Sequence, residues 1–167
     1  SQRFKTNFNG DPLSLYLKLR EVSPAPFSGF LKFSEFSIIS SSPERLLKIK
    51  DDKLETRPIA GTRPRGSDKK KDSALTTELL LSEKERAEHL MLVDLERNDM
   101  GRVCQSGSVK VTELMCLEKY SHVSHIVSNI EGELKKDITI YDLLKSLFPG
   151  GTITGCPKIR CMEIVNE

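Results

Sequence analysis

The chain has 167 residues, of which 37% are apolar and 30% are charged, proportions typical of a globular domain with one sizeable core. Its 26 basic and 24 acidic side chains leave a formal net charge of +2, so no strong field favours a nucleic acid or an acidic membrane surface. No apolar run approaches the roughly 18 residues that a membrane span requires, and the first ten residues lack the apolar core of a signal peptide. We therefore expect a cytoplasmic protein of α+β class.

The first third of the chain has one helical segment followed by short apolar runs. Leucines spaced along residues 12–20 predict a short helix, which the Ser23-Pro-Ala-Pro26 segment ends. Short β-branched or aromatic segments bounded by turn-like residues predict antiparallel strands, for which a meander is the simplest arrangement: 27–33, 36–41, 45–50 and 53–59. The charge-rich stretch 66–72 predicts a loop with solvated lysines.

The remainder of the chain alternates helical and extended patterns. Residues 73–97 contain no Pro or Gly and fit two helices, the second beginning near Ser82, where Ser82-Glu-Lys-Glu85 has the form of a capping box, and ending at Gly101. Strands are predicted over 108–114 and 120–130. An amphipathic helix over 140–148 is expected to break at Pro149-Gly-Gly151, and a last helix to begin at Pro157.

The segment 148–160, FPGGTITGCPKIR, is a glycine-rich turn that leads into a helix. Unpaired N–H groups at a helix start, the positive end of its dipole and the hydroxyls of Thr152 or Thr154 can together hold a carboxylate or phosphate, with Lys158 and Arg160 nearby. The spacing excludes a Walker loop. The alternative is a glycine C-cap followed by an ordinary turn, with no ligand.

Two carboxylates, Glu85 and Glu88, lie three residues apart and therefore on one face of the predicted helix. At a surface such a pair has no special role, and Glu85 is already accounted for as the capping-box partner of Ser82. In a cleft the same pair suits a Mg²⁺ ion or an acid–base function, because the ion or a shared proton relieves the repulsion. Burial decides between these alternatives.

Two further segments carry polar groups suited to a ligand. The proline-framed stretch 56–66 has three arginines and predicts either a carboxylate-binding turn or a rigid edge-strand turn with solvent-facing arginines. His122 and His125, three apart on a predicted strand, point to opposite faces and do not form a zinc pair. One of them can still hydrogen-bond a substrate.

Six motifs occur in an order that resembles the chorismate-utilising enzymes: SSPERLL, TRPIAGTRPRG, KERAEHLMLVDLERNDMGRV, GSVKV, YSHVSHIVS and FPGGTITGCPKIRCMEI. This family includes anthranilate synthase component I, aminodeoxychorismate synthase component I, isochorismate synthase and salicylate synthase. The resemblance implies an α+β fold with two stacked antiparallel sheets flanked by helices. It also implies chorismate and Mg²⁺ as ligands, bound in a cleft.

The resemblance assigns roles to particular residues. Glu88 matches a magnesium ligand and Glu85 a neighbouring carboxylate at the metal site with a catalytic role. Glu44 of the SPER motif matches a catalytic acid–base residue. Thr62, His125 and Thr152 match positions that contact the substrate. Gly151 would allow the backbone to approach the substrate closely, and Lys158 of the last helix is a further substrate-binding candidate.

The motifs are most similar to aminodeoxychorismate synthase component I, with anthranilate synthase component I as the alternative. Many members of the first group carry a lysine in PIKGT that attacks the ring, whereas this chain has Ala60, which is typical of anthranilate synthase. Ala60 cannot be a nucleophile or a base, which argues against hydroxylating members and favours ammonia, delivered by a glutamine amidotransferase partner. A non-catalytic anion-binding or subunit-docking module is the alternative outside enzymes.

The resemblance also indicates which part of a larger protein this sequence represents. Residues 1–167 correspond to the central portion of a chorismate-binding catalytic domain, truncated at both ends. In the family the second magnesium carboxylate and the groups that hold the pyruvyl carboxylate lie further toward the C-terminus. We therefore expect these residues alone to be inactive.

Overall fold

The computed structural model describes residues 2–167 and has two compact units, divided between Glu44 and Arg45. The α+β class is confirmed, with antiparallel pairing in both sheets. In chain order the elements are α1 (Pro12–Val22), β1 (Gly29–Lys32), β2 (Ser37–Ser40), β3 (Arg45–Lys50), β4 (Lys53–Arg57), β5 (Ile59–Pro64), α2 (Lys69–Leu81), α3 (Glu83–Val103), β6 (Lys110–Lys119), β7 (Val123–Glu133), α4 (Ile140–Leu147), α5 (Gly151–Thr154) and α6 (Lys158–Asn166).

The first unit contains α1 and the hairpin of β1 and β2. Asp11 caps α1 by accepting a hydrogen bond from the Ser14 backbone N–H at 2.8 Å, and Pro12 occupies the first turn, where its missing N–H has no consequence. The ring of Tyr16 stacks on Phe30 of β1 with centroids 5.6 Å apart. The predicted helix and the first two strands are therefore confirmed, with β1 and β2 shorter than expected.

The second unit is built around β7, the central strand of a five-stranded sheet. One edge of β7 pairs with β6, and the other pairs with β4 and β5, while β3 pairs with the outer edge of β4. Seven consecutive residues of β7, 124–130, are buried, so both faces of the strand are covered. The predicted four-strand meander is wrong: β1 and β2 pair in one sheet and β3 and β4 in another, and the other edge of β4 pairs with β7, which returns from far along the chain.

β4 and β5 lie end to end along one edge of β7. Thr56 pairs with Ile130 and Ile59 with Val127, so the register continues across Pro58. The prediction of a turn over 56–66 is wrong: the strand resumes at Ile59 and runs to Pro64. The Pro58 carbonyl faces β7 and accepts a hydrogen bond from the Ser128 N–H at 3.3 Å, so one ladder bond is kept at this pair although the proline supplies no N–H.

The core of the second unit lies between α3 and the sheet. The buried side of α3 presents residues at helical spacing, His89, Leu92, Val93, Leu95, Asp99, Met100 and Val103. Met100 and Val103 pack with Leu54, Ile130 and Leu147 in one apolar cluster. Burial of each large side chain of this kind contributes about 1.5–3 kcal/mol relative to exposure, which holds α3 against β4, β7 and α4.

α2 begins earlier than the sequence pattern indicates. Asp68 accepts a hydrogen bond from the Lys71 N–H at 2.9 Å, so the helix starts at Lys69, inside the stretch predicted as a loop. Asp72 is buried, and its carboxylate receives Arg65 at 2.7 Å and Lys119 at 2.8 Å. These two cations hold the pKa of Asp72 well below its ordinary value.

Other boundaries follow the prediction with local differences. α4 and α6 occur as expected, whereas α3 continues past Gly101 to Val103. β6 ends at Lys119 rather than Leu114, and β7 begins at Val123. Within residues 2–167 no helix is long and apolar enough to cross a bilayer.

Candidate functional site

Thr62 and His125 are brought together by strand pairing. They lie directly opposite each other on β5 and β7, and the Thr62 hydroxyl is 2.8 Å from His125 Nδ1. Cross-strand partners have adjacent side chains on one face of a sheet. Two positions predicted separately as substrate contacts therefore form one hydrogen-bonded pair.

His125 is packed against Tyr120 and faces Glu118 across the strands. The Tyr120 ring meets the imidazole edge-on with centroids 5.5 Å apart, and its hydroxyl donates to Glu118 Oε2 at 2.6 Å. Burial lowers the pKa of His125, partly opposed by Glu118. Burial and the Glu118 carboxylate raise the pKa of Tyr120 to about 12.

We expect the lowered pKa of His125 to make stability depend on pH. The unfolded imidazole titrates near 6.5 and the folded one below it, so unfolding takes up a proton between these values. The free energy of unfolding of the full-length protein should therefore decrease as pH falls below about 6.5. Urea denaturation between pH 5 and 8 should show a smaller decrease for His125→Gln than for wild type; equal slopes would contradict the assignment.

Glu85 is held by an arginine rather than by the predicted capping box. Ser82 Oγ accepts a hydrogen bond from the Glu85 N–H at 3.4 Å, but the Ser82 N–H donates to Glu78 O at 3.0 Å, so only half of the box forms. The Glu85 side chain is 18% exposed, and its Oε1 accepts from Arg63 Nη1 at 3.1 Å. One arginine of the 56–66 segment thus binds a carboxylate of the protein itself.

Glu88 lines an open pocket of about 380 Å³. Its side chain is 50% exposed and has a loose pair with Lys84 at 3.6 Å. The backbone and side chains from β5, α3 and α5 that complete the lining are Ile59, Ala60, Gly61, Met91, Leu92, Gly151, Thr152, Thr154 and Gly155. Glu88 thus lines a pocket but is only half-buried, and its metal-binding role stays a prediction.

The donor set at this pocket fits Mg²⁺ in part. Magnesium keeps several waters and is commonly held by one or two carboxylates together with its substrate, which suits the accessible Glu88 carboxylate. Glu85 is tied to Arg63, although its Oε2 is directed toward Gly61, where an added Cβ would lie 3.4 Å away. Among residues 2–167 no group of three or more His, Cys, Asp or Glu side chains is arranged to enclose a metal ion.

Gly61 occupies a position in the pocket wall that favours glycine. Its φ of +91° is a left-handed conformation, at the register shift of β5, and an added Cβ would lie 3.2 Å from both Ile126 Cδ1 and Leu79 Cδ1. We expect Gly61→Ala to lower the free energy of unfolding by about 1–3 kcal/mol. Gly107→Ala is the matched control, because its φ is +78° with nothing within 4 Å of an added Cβ.

Urea denaturation of both glycine variants in the full-length protein measures the difference. The control should show the effect of the backbone conformation alone and so lose less stability than Gly61→Ala. Equal losses would show that crowding by Ile126 and Leu79 is unimportant.

The glycine-rich segment forms a short helix, α5, against α3. Gly151 is buried, and an added Cβ would lie 2.7 Å from Leu95 Cδ2. Packing against α3 therefore requires glycine here in addition to any approach of a ligand. Thr152 lines the pocket beside it, while the Thr154 hydroxyl donates to Gly150 O at 3.1 Å.

Lys158 forms a buried ion pair. Its Nζ contacts Asp99 Oδ2 of α3 and donates to Leu147 O at 3.2 Å; the two charged side chains are 11% and 3% exposed. This pair joins the first turn of α6 to α3 and α4. The substrate-binding role of Lys158 stays a prediction, and its ammonium has a structural partner.

Glu44 is the last residue of the first unit, in the turn before β3. Its N–H donates to Ser42 Oγ at 3.2 Å, and the Ser42 hydroxyl is 3.1 Å from Glu44 O. The SPER motif thus folds as a compact hydroxyl-stabilised turn. The acid–base role of Glu44 stays a prediction.

Sequence reasoning missed His89, the residue after Glu88. It is fully buried, with Nδ1 3.2 Å from Ala60 O and Nε2 2.6 Å from Ser128 Oγ. Burial lowers its pKa, while the Ala60 carbonyl opposes that effect. Its helical spacing with Leu92 and Val93 was the available signal for burial.

The sequence matches the family described as chorismate binding enzyme over residues 1–167. The chain belongs to this family. It is 57% identical over 93% of its length to aminodeoxychorismate synthase component 1 of Bacillus subtilis and 56% identical over its whole length to anthranilate synthase component 1 of Synechocystis. It spans 33% and 34% of those two proteins, about a third of their length.

The fold agrees with this family. The crystal structure of anthranilate synthase component I from Streptococcus pneumoniae aligns with 93% of the chain at a TM-score of 0.82 and 42% identity, and the alignment covers 34% of that structure. The predicted resemblance is therefore confirmed. The two curated relatives carry different names at nearly equal identity, so similarity establishes membership of the chorismate binding enzyme family and leaves the reaction to be tested.

Proposed function

We propose that the full-length protein adds ammonia to chorismate to form 4-amino-4-deoxychorismate, in a Mg²⁺-dependent reaction with ammonia supplied by a glutamine amidotransferase. The observation that carries the proposal is the pocket lined by Glu88 together with Ala60, Gly61 and Thr152. The Bacillus subtilis relative named for this activity supports the choice of product. The motifs quoted above favour the same branch.

We assign different roles in that reaction to individual residues of this chain. Glu88 would hold Mg²⁺, with Glu85 as the neighbouring carboxylate, and the ion when bound would withdraw charge from the ring carboxylate. Ala60 presents only a methyl group, so the nucleophile is ammonia itself. By the resemblance of the SPER motif, Glu44 would act as the acid that protonates the departing ring hydroxyl, which leaves as water.

Thr62, His125 and Thr152 orient the substrate in the proposal. The Thr62–His125 hydrogen bond restrains both side chains before a ligand arrives, which reduces the entropy lost on binding. Gly151 keeps the pocket wall free of a side chain beside Thr152.

Anthranilate synthase is the second candidate, and Ala60 favours it. The Synechocystis relative at 56% identity carries that name. In this alternative, ammonia bonds to the ring carbon next to the one that bears the carboxylate, the ring hydroxyl leaves as water, and elimination of pyruvate then gives the aromatic ring. The same pocket would serve either amination.

Product analysis of the full-length protein tests both candidates. Chorismate, an ammonium salt and Mg²⁺ are supplied, and products are separated by chromatography and identified by mass, with a control lacking Mg²⁺. Aminodeoxychorismate without pyruvate supports the proposal. Anthranilate with equimolar pyruvate supports the alternative, and absence of any aminated product would contradict both.

A further inference from the structure

We propose that His89 is a positioning residue that fixes the pocket wall at Ala60 through a one-directional chain of hydrogen bonds. The proposal rests on the proposed function, since it takes the pocket beside Glu88 as the place where chorismate is aminated. It assigns no chemistry to His89, which is fully buried and lies behind the wall.

The hydrogen-bond partners determine which ring nitrogen of His89 carries the proton. A carbonyl oxygen only accepts, so the 3.2 Å contact between Nδ1 and Ala60 O requires hydrogen on Nδ1. In the neutral ring Nε2 is then an acceptor. The Ser128 hydroxyl, 2.6 Å from Nε2, must be its donor.

Ser128 completes the chain because its oxygen also accepts. The Met115 backbone N–H donates to Ser128 Oγ at 3.0 Å, which leaves the hydroxyl hydrogen for His89. Donation thus runs from Met115 on β6 through Ser128 on β7 and His89 on α3 to Ala60 on β5. Every member is satisfied in a buried site, where hydrogen bonds reinforce one another and an unpaired group is costly.

The hydrogen-bond chain ends at an irregularity of the sheet. The β5–β7 register shifts between Ile59 and Thr62, so Ala60 and Gly61 form an irregularity outside the regular pairing. His89 supplies the Ala60 carbonyl with a partner from α3. The wall is therefore set by the helix that carries Glu88.

His89 and Glu88 are adjacent on α3, which links the position of the pocket wall to the position of Glu88. Consecutive helical residues point about 100° apart, so one side chain enters the core while the other faces the pocket. The bond from His89 to Ala60 consequently fixes the separation between the Glu88 carboxylate and the opposite wall. Misplacement of about 1 Å in such a site lowers the rate by about 100-fold.

Two variants of the full-length protein separate positioning from general stability. His89→Asn keeps a side-chain N–H near the position of Nδ1, and His89→Leu fills the space without a donor. We expect His89→Leu to lower kcat/KM for chorismate by about 100-fold, mainly through kcat, and His89→Asn to recover at least tenfold of that loss. Both variants lose the Ser128 interaction, so their unfolding temperatures should be similarly lowered.

Activity that merely follows the unfolding temperature, with no rescue by asparagine, would overturn the positioning role. Nitrogen-15 NMR of the imidazole in the wild-type protein provides a readout independent of the reaction. A protonated Nδ1 and an unprotonated Nε2 support the chain, and the opposite tautomer refutes it. If the wild-type protein fails to aminate chorismate, the proposed function is contradicted. The tautomer of His89 still tests the hydrogen-bond chain in that case.

Discussion

Replacing Glu88 with glutamine is expected to lower Mg²⁺-dependent kcat/KM for chorismate by about 100-fold or more in the full-length protein, because a metal ligand is worth several kcal/mol at the transition state. Glutamine keeps the size and hydrogen-bonding length of glutamate and removes its charge. The side chain is half-exposed at the pocket, so the substitution should change stability by less than about 0.5 kcal/mol. A loss of activity therefore cannot be attributed to unfolding.

Glu83→Gln is the matched control for Glu88→Gln. Glu83 is an exposed glutamate in the first turn of the same helix and does not line the pocket. Rates measured across a Mg²⁺ titration should require a higher metal concentration for Glu88→Gln and the wild-type concentration for Glu83→Gln. An unchanged Mg²⁺ requirement in Glu88→Gln would remove Glu88 from the metal site. Wild-type activity of the Glu88→Gln variant would in addition favour a non-catalytic role for this segment of the full-length protein.

Breaking the Lys158–Asp99 pair is expected to have the largest effect on stability. Asp99→Ala leaves the Lys158 ammonium unpaired where its side chain is 11% exposed, a change that costs about 3–5 kcal/mol. The Leu147 carbonyl, 3.2 Å from Nζ, remains as a hydrogen-bond partner of the ammonium. Urea denaturation of the full-length protein measures the loss.

The double variant Asp99→Leu with Lys158→Met separates charge burial from packing. Apolar side chains in place of a buried ion pair are often neutral in stability, so the double variant should be more stable than Asp99→Ala alone. A loss below about 0.5 kcal/mol in Asp99→Ala would show that Lys158 does not depend on this partner. That result would return Lys158 to the anion-binding role predicted from its place at a helix start.

The sequence was sufficient wherever local chemistry decides the structure. The β3 boundaries and the amphipathic helix α4 follow from residue spacing, and the division between α2 and α3 follows from the capping residue Ser82. Gly151 and Thr152 line one pocket, whereas Thr62 and His125 pair with each other across β5 and β7. All four residues are identified from family motifs, and periodicity alone does not single them out.

The errors arose where contacts between distant residues override local signals. Pro58, Gly61 and Pro64 favour a turn, yet pairing with β7 maintains an edge strand through them. Asp72 belongs to a predicted surface loop but is buried by Arg65 and Lys119, the latter 47 residues away. No local pattern predicts such a partner.

The close packing of Gly151 under Leu95 makes the sizes of these two residues interdependent. Because an added methyl at residue 151 would meet Leu95 Cδ2 at 2.7 Å, a larger residue there requires a smaller one on the helix below. The shape of this pocket can therefore change when a substitution in α5 is compensated by a substitution on the buried side of α3. A double variant of this kind would change substrate preference partly through residue 95, which is buried on α3 and does not contact the substrate.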